Sequence, residues 1–88
     1  MKKSEIIKEL EKKGYKNIFV WSDSKGTYYD WHSHPYNEIR YMLKGKMIIN
    51  TKDKSIELNA GDIAEVKAGE LHEAYVLENC EYICAAKP

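Results

Sequence analysis

From residue 15 onward the sequence breaks into eight short runs rich in β-branched and aromatic residues: Asn17–Trp21, Thr27–His32, Glu38–Leu43, Lys46–Thr51, Ser55–Leu58, Asp62–Val66, His72–Glu78 and Glu81–Ala86. Turn signals separate them, among them Asp23-Ser24-Lys25-Gly26, Lys44-Gly45, Lys52-Asp53-Lys54, Asn59-Ala60-Gly61-Asp62 and Ala68-Gly69. Strands this short and this regularly spaced predict a β-sandwich or barrel. No segment between them is long enough for a helical crossover, so the pairing must be antiparallel. Gly45 and Gly69 are expected in hairpin turns, where φ is positive.

The one helical pattern covers residues 4–13. Ile6, Ile7 and Leu10 form a single apolar stripe, Ser4 is placed as the N-cap, and Gly14 ends the helix. The expected organisation is a helix over 1–14 and a β-domain over 15–88, one domain in all. At 88 residues such a domain buries only roughly 60% of its unfolded surface, so it needs a dense core, a metal or a partner chain.

Charge excludes several classes of function. Fourteen basic side chains balance fourteen acidic ones, which gives no field for nucleic acid. No apolar run approaches the ~20 residues of a membrane span. Residues 1–12 lack the apolar stretch of a secretion signal, so the expected location is cytoplasmic. Cys80 and Cys84 lie four apart, roughly 13 Å along a strand, too far for a disulfide. Both are read as reduced structural thiols.

The chemistry lies in the three histidines. His32 and His34 flank Ser33, and residues two apart on a strand share a face. Pro35-Tyr36-Asn37 turns the chain, so Glu38 returns on the next strand beside them, and His72 opens a later strand. Three imidazoles and one carboxylate suit a divalent transition metal, Fe, Mn, Ni, Co, Cu or Zn. On a six-coordinate ion they leave two positions open for a substrate. Spacing alone reads the two neighbouring histidines equally well as a surface pair.

The wider pattern resembles the cupin superfamily. Gly26, His32, His34, Glu38 and Gly45, separated by five, one, three and six residues, match its first motif, and Gly61, Gly69 and His72 match its second. The resemblance covers residues 15–86. It implies a small metal-binding cupin: an antiparallel double-stranded β-helix, or jelly-roll barrel, with a metal on His32, His34, Glu38 and His72. Lys67 stands where the family usually has proline, and Val76 where it has asparagine. The resemblance implies a metal-dependent dioxygenase or isomerase acting on a small organic molecule. The alternative is a non-catalytic sensor of a small molecule or metal.

Side-chain alternation extends the site. Tyr28 and Asp30 share the face of the histidines, Arg40 and Met42 that of Glu38, and Val76 that of His72; Cys84 is also assigned inward. Arg40, the only arginine, is read either as a substrate-orienting group or as the ion-pair partner of Asp30 or Glu38. The opposite faces carry Tyr29, Trp31, Tyr41, Leu43, Tyr75 and Leu77. So many aromatics on one surface predict a homodimer, unless the helix covers them.

Overall fold

The computed structural model describes residues 2–87. One helix, α1 (Lys3–Lys12), precedes six strands: β1 (Lys16–Asp23), β2 (Tyr28–His32), β3 (Glu38–Thr51), β4 (Ser55–Asn59), β5 (Ile63–Val66) and β6 (His72–Ala86). Every pairing is antiparallel. The eight expected runs become six strands because two pairs of runs are each continuous. Lys44-Gly45 joins the halves of β3, and Asn79-Cys80 lies within β6.

These two long strands carry the architecture. The first half of β3 pairs with the second half of β6, and the second half of β3 pairs with the first half of β6. β1 and β5 flank the former pair, while β2 and β4 flank the latter. The result is a jelly-roll that folds one antiparallel array over on itself. The register slips between Met42 and Met47, where the array turns its corner. Gly45 sits in that slip with φ +85°. A Cβ there would collide with the Asn79 carbonyl oxygen and lie 2.7 Å from the Cys80 Cα. Gly45 is therefore a corner glycine rather than a hairpin turn: the backbone conformation and the closeness of β6 both exclude a side chain.

The core lies between the two halves. Met42, Met47, Ile49, Leu58, Val66, Val76 and Tyr82 fill it. A second cluster lies on the outside of the half that contains β1, where Ile6 and Leu10 of α1 pack on Ile39, Ile83 and Ala85, with Tyr41, Leu43, Ile18 and Val20 around them. The helix thus covers Tyr41 and Leu43 and leaves Tyr75 and Leu77 of the other half exposed. Its start differs from expectation: Lys2 is the N-cap and no side chain caps it. Ser4 is inside the first turn, and Glu5 complements the positive helix end there. The far end closes as expected at Gly14, with Tyr15 N–H donating to the Leu10 carbonyl at 3.0 Å and Gly14 N–H to that of Glu11 at 3.0 Å. Cys80 and Cys84 are both buried and unbridged. Among the described residues no helix is long and apolar enough to cross a membrane.

Candidate metal centre

The end of β2, the loop after it and the starts of β3 and β6 meet at one mouth of the barrel. His32 is the last residue of β2 and pairs directly with His72, the first of β6. His34 lies in the following loop. That loop is tied to the loop before β6: Gly69 N–H donates to the His34 carbonyl at 2.8 Å, and Ala68 N–H to Asn37 Oδ1 at 2.7 Å. Glu70 N–H donates to the Lys67 carbonyl at 3.1 Å, so the turn closes although Lys67 replaces a proline.

Their candidate ligand nitrogens all lie within 4.8 Å of one another. Each ring has its Nδ1 against a backbone carbonyl: His32 on Asp30 at 2.6 Å, His72 on Glu70 at 3.0 Å and His34 on Tyr36 at 3.4 Å. A carbonyl only accepts, so these contacts place the proton on Nδ1 and leave the Nε2 lone pair free. The His34 ring also stacks on Tyr36, with centroids 4.7 Å apart.

His72 is wholly buried, and its Nε2 has no hydrogen-bond partner. A buried polar atom left so is costly, and a cation at the convergence of the three rings would satisfy it. Burial, together with His32, His34 and Arg40 nearby, lowers the His72 pKa, which keeps the ring neutral and able to ligate.

Glu38 lies beside the cluster, with Oε2 3.6 Å from His34 Nε2. Its other oxygen accepts from Arg40 Nη2 at 2.9 Å, and both side chains are buried. The donor set therefore matches a divalent transition metal: three imidazoles whose ligand atoms lie close together and a carboxylate oxygen beside them. Arg40 also donates to Met47 Sδ at 3.4 Å and lies over the Tyr82 ring at 5.0 Å.

Beside this cluster is a cavity of about 300 Å³, lined by His32, His34, Glu38 and Arg40, by Phe19, Trp21, Tyr29 and Tyr82, and by Ala74 and Cys84. Burial pushes the Cys84 thiol up to about 11, so it is a neutral thiol there.

Alternation along β2 misassigns two residues. The pairing runs Tyr28 with Tyr75 and Tyr29 with Ala74, then slips by one residue before His32 pairs with His72. This bulge inverts the parity, so Tyr29 faces the cavity while Tyr28 and Asp30 lie outside it. There the Tyr28 hydroxyl contacts Glu73 at 2.8 Å and Asp30 at 3.0 Å. Met42 and Val76 point into the barrel but belong to the packed core and not to the cavity wall. The absence of asparagine at Val76 therefore removes no group from the wall.

Asp23, read from sequence as a turn residue, anchors the cavity's aromatics. Tyr29 donates to its Oδ1 at 2.7 Å, Tyr82 to its Oδ2 at 2.6 Å and Trp21 Nε1 to Oδ1 at 3.1 Å. Phe19 and Trp21 had a usable signal, since they alternate on β1 with Ile18 and Val20, which pack on the helix side.

The sequence model of the Cupin domain matches residues 19–85. The chain belongs to the cupin family. No curated protein sequence matches this cupin, whereas many solved structures do. A conserved protein of unknown function from Streptococcus pyogenes is 26% identical, with a TM-score of 0.72 over 81% of this chain and 63% of that one. An uncharacterized conserved protein with a double-stranded β-helix domain from Klebsiella pneumoniae is 25% identical, with a TM-score of 0.68 over 81% and 65%. The DMSP lyase DddQ of Ruegeria pomeroyi shares the fold, at 22% identity and a TM-score of 0.73 over 81% of this cupin and 37% of the lyase. This cupin thus spans less than two thirds of the Streptococcus and Klebsiella proteins' length.

Proposed function

We propose that this cupin holds one divalent transition metal on His32, His34, Glu38 and His72 and presents it to a small organic molecule in the adjoining cavity, as a metal-dependent dioxygenase or isomerase. The observation that carries this reading is the buried Nε2 of His72, which lacks a partner and faces two further imidazoles whose backbone contacts leave their own Nε2 free. A metal held by these four residues would supply Lewis acidity to a bound molecule. The protein's part is to orient. Arg40 holds one Glu38 oxygen and so fixes the other, while Asp23 holds Tyr29 and Tyr82 of the aromatic wall in place. One observation favours a second reading, a sensor that binds without turnover. Glu38, already paired with Arg40, is the cavity's only carboxylate among the described residues, so no free general base lines it. Oxygen consumption by metal-loaded protein, with a panel of thiols and β-dicarbonyls, separates the two. Saturable binding without turnover of any compound would favour the sensor.

The homodimer belongs to the same proposal. Tyr28, Trp31, Tyr75 and Leu77 remain exposed on strands β2 and β6, a surface the helix does not reach. Sedimentation at micromolar concentration should give twice the chain mass, and a single-chain mass would refute it.

A further inference from the structure

The three imidazoles are not held equally. His32 and His72 pair with each other across two strands. Their Nδ1 atoms lie 2.6 and 3.0 Å from the carbonyl oxygens of Asp30 and Glu70, and their rings pack with centroids 4.2 Å apart. His34 lies in a loop. Pro35 after it restricts its backbone to extended conformations, and Gly69 N–H donates to its carbonyl at 2.8 Å. Both constraints act on the main chain and neither reaches the ring. The contact from the ring Nδ1 to the Tyr36 carbonyl is 3.4 Å long, beyond the usual range of such a bond. Its Nε2 is 3.6 Å from Glu38 Oε2, too far for another.

What orients the ring instead is the side chain of Tyr36. The two rings stack with centroids 4.7 Å apart and planes 11° from parallel, the one near-parallel aromatic pair among the described residues. Tyr36 has no place in the packing of the fold. It is exposed and belongs to neither core cluster. A ligand free to rotate must be ordered when it binds a metal, and that ordering subtracts from affinity. A stack already formed in the metal-free fold removes the cost. The face of a phenol also attracts an electron-poor ring more strongly than a neutral one, so the contact tightens when His34 ligates through Nε2.

We propose that Tyr36 is a positioning residue of the metal centre, its ring holding the His34 imidazole in the orientation in which Nε2 ligates. This deepens the metal-site reading and rests on it.

The test measures metal affinity of the full chain by competition with chelators of graded strength, using zinc or, if zinc is not retained, the one of Mn, Fe and Ni that is. Tyr36→Phe keeps the ring and should bind as wild type does. Tyr36→Ala should bind about threefold to tenfold more weakly while keeping the circular dichroism of the folded protein. Both variants retain the carbonyl at position 36, so the loss reports the ring alone. In a His34→Ala background, Tyr36→Ala should change affinity less than about twofold, because the side chain it acts through is gone. Tyr36→Ala with wild-type affinity would overturn the inference and leave the metal reading standing. So would Tyr36→Phe as weak as Tyr36→Ala. An equal loss from Tyr36→Ala in both backgrounds would overturn it too, since Tyr36 would then support the fold rather than His34. Wild type that binds none of the four metals would bring down both readings.

Discussion

Replacing Gly45 with alanine tests whether the barrel corner is built as described. Two costs add at this position. The first is conformational: φ +85° is disfavoured for an L residue by about 1–2 kcal/mol. The second is steric, because the new methyl meets the Asn79 carbonyl oxygen and the Cys80 Cα. These are backbone atoms of a central strand and cannot rotate away. Overpacking of this kind costs about 1–3 kcal/mol or more. Gly45→Ala should therefore lose about 2–5 kcal/mol, a large share of the ~5–15 kcal/mol that a domain has. Gly61 is the internal control. It has φ +93° and nothing within 4 Å of its added methyl, so Gly61→Ala should show the conformational cost alone, about 1–2 kcal/mol. Urea unfolding of wild type and both variants, without metal, measures the difference. A Gly45→Ala loss equal to that of Gly61→Ala would show that β6 does not press on the corner, and would refute the fusion of the two halves there. The corner also matters to the site, because Glu38 and Arg40 lie on one side of it in β3, while the residue paired with His72, Thr51, lies on the other.

Three further outcomes follow from the site. Burial holds His72 below its ordinary 6.5, so the unfolded chain takes up a proton that the folded one resists. Stability without metal is then fully present above about 6.5 and falls as pH drops through that value toward the folded pKa. Urea midpoints at pH 7.5 and 5.5 should show the loss in wild type and a smaller one in His72→Gln; equal losses would contradict it. Arg40→Met leaves the buried Glu38 carboxylate without its partner, at a cost of about 3 kcal/mol in metal-free protein. Added metal should restore part of that, and an Arg40→Met variant as stable as wild type would refute the pairing. Cys80 and Cys84 should resist Ellman's reagent at pH 7.5 until the chain is unfolded. Rapid modification of the native protein would contradict their burial.

The ligand types were legible in the sequence because their spacing is tied to rigid features. His32 and His34 end one strand, Glu38 opens the next, and the glycines flank them at fixed distances. Alternation was also sound along β3, where Glu38, Arg40 and Met42 face in while Ile39, Tyr41 and Leu43 face the helix. It failed along β2 because a bulge adds one residue between Tyr29 and His32. Nothing in Tyr28–His32 marks a bulge, and a single inserted residue exchanges the two faces. Plain alternation therefore puts Tyr28 and Asp30 in the cavity and leaves Tyr29 out, the reverse of the fold. The depth of Met42 and Val76 was illegible for another reason: alternation gives a face, not a height along the barrel. Asp23 was hidden because its three donors come from β1, β2 and β6, and only the assembled fold brings them to one carboxylate.

The central claim is that His32, His34, Glu38 and His72 hold a metal. Untagged protein and a His72→Ala variant should be purified, stripped, and reconstituted separately with Mn, Fe, Ni and Zn, and the bound metal measured by elemental analysis. Wild type should retain one ion per chain for at least one of these metals, and His72→Ala should retain substantially less while keeping the circular dichroism of a folded β-protein. Wild type that retains none of the four, or a folded His72→Ala protein that retains as much as wild type, would contradict the account.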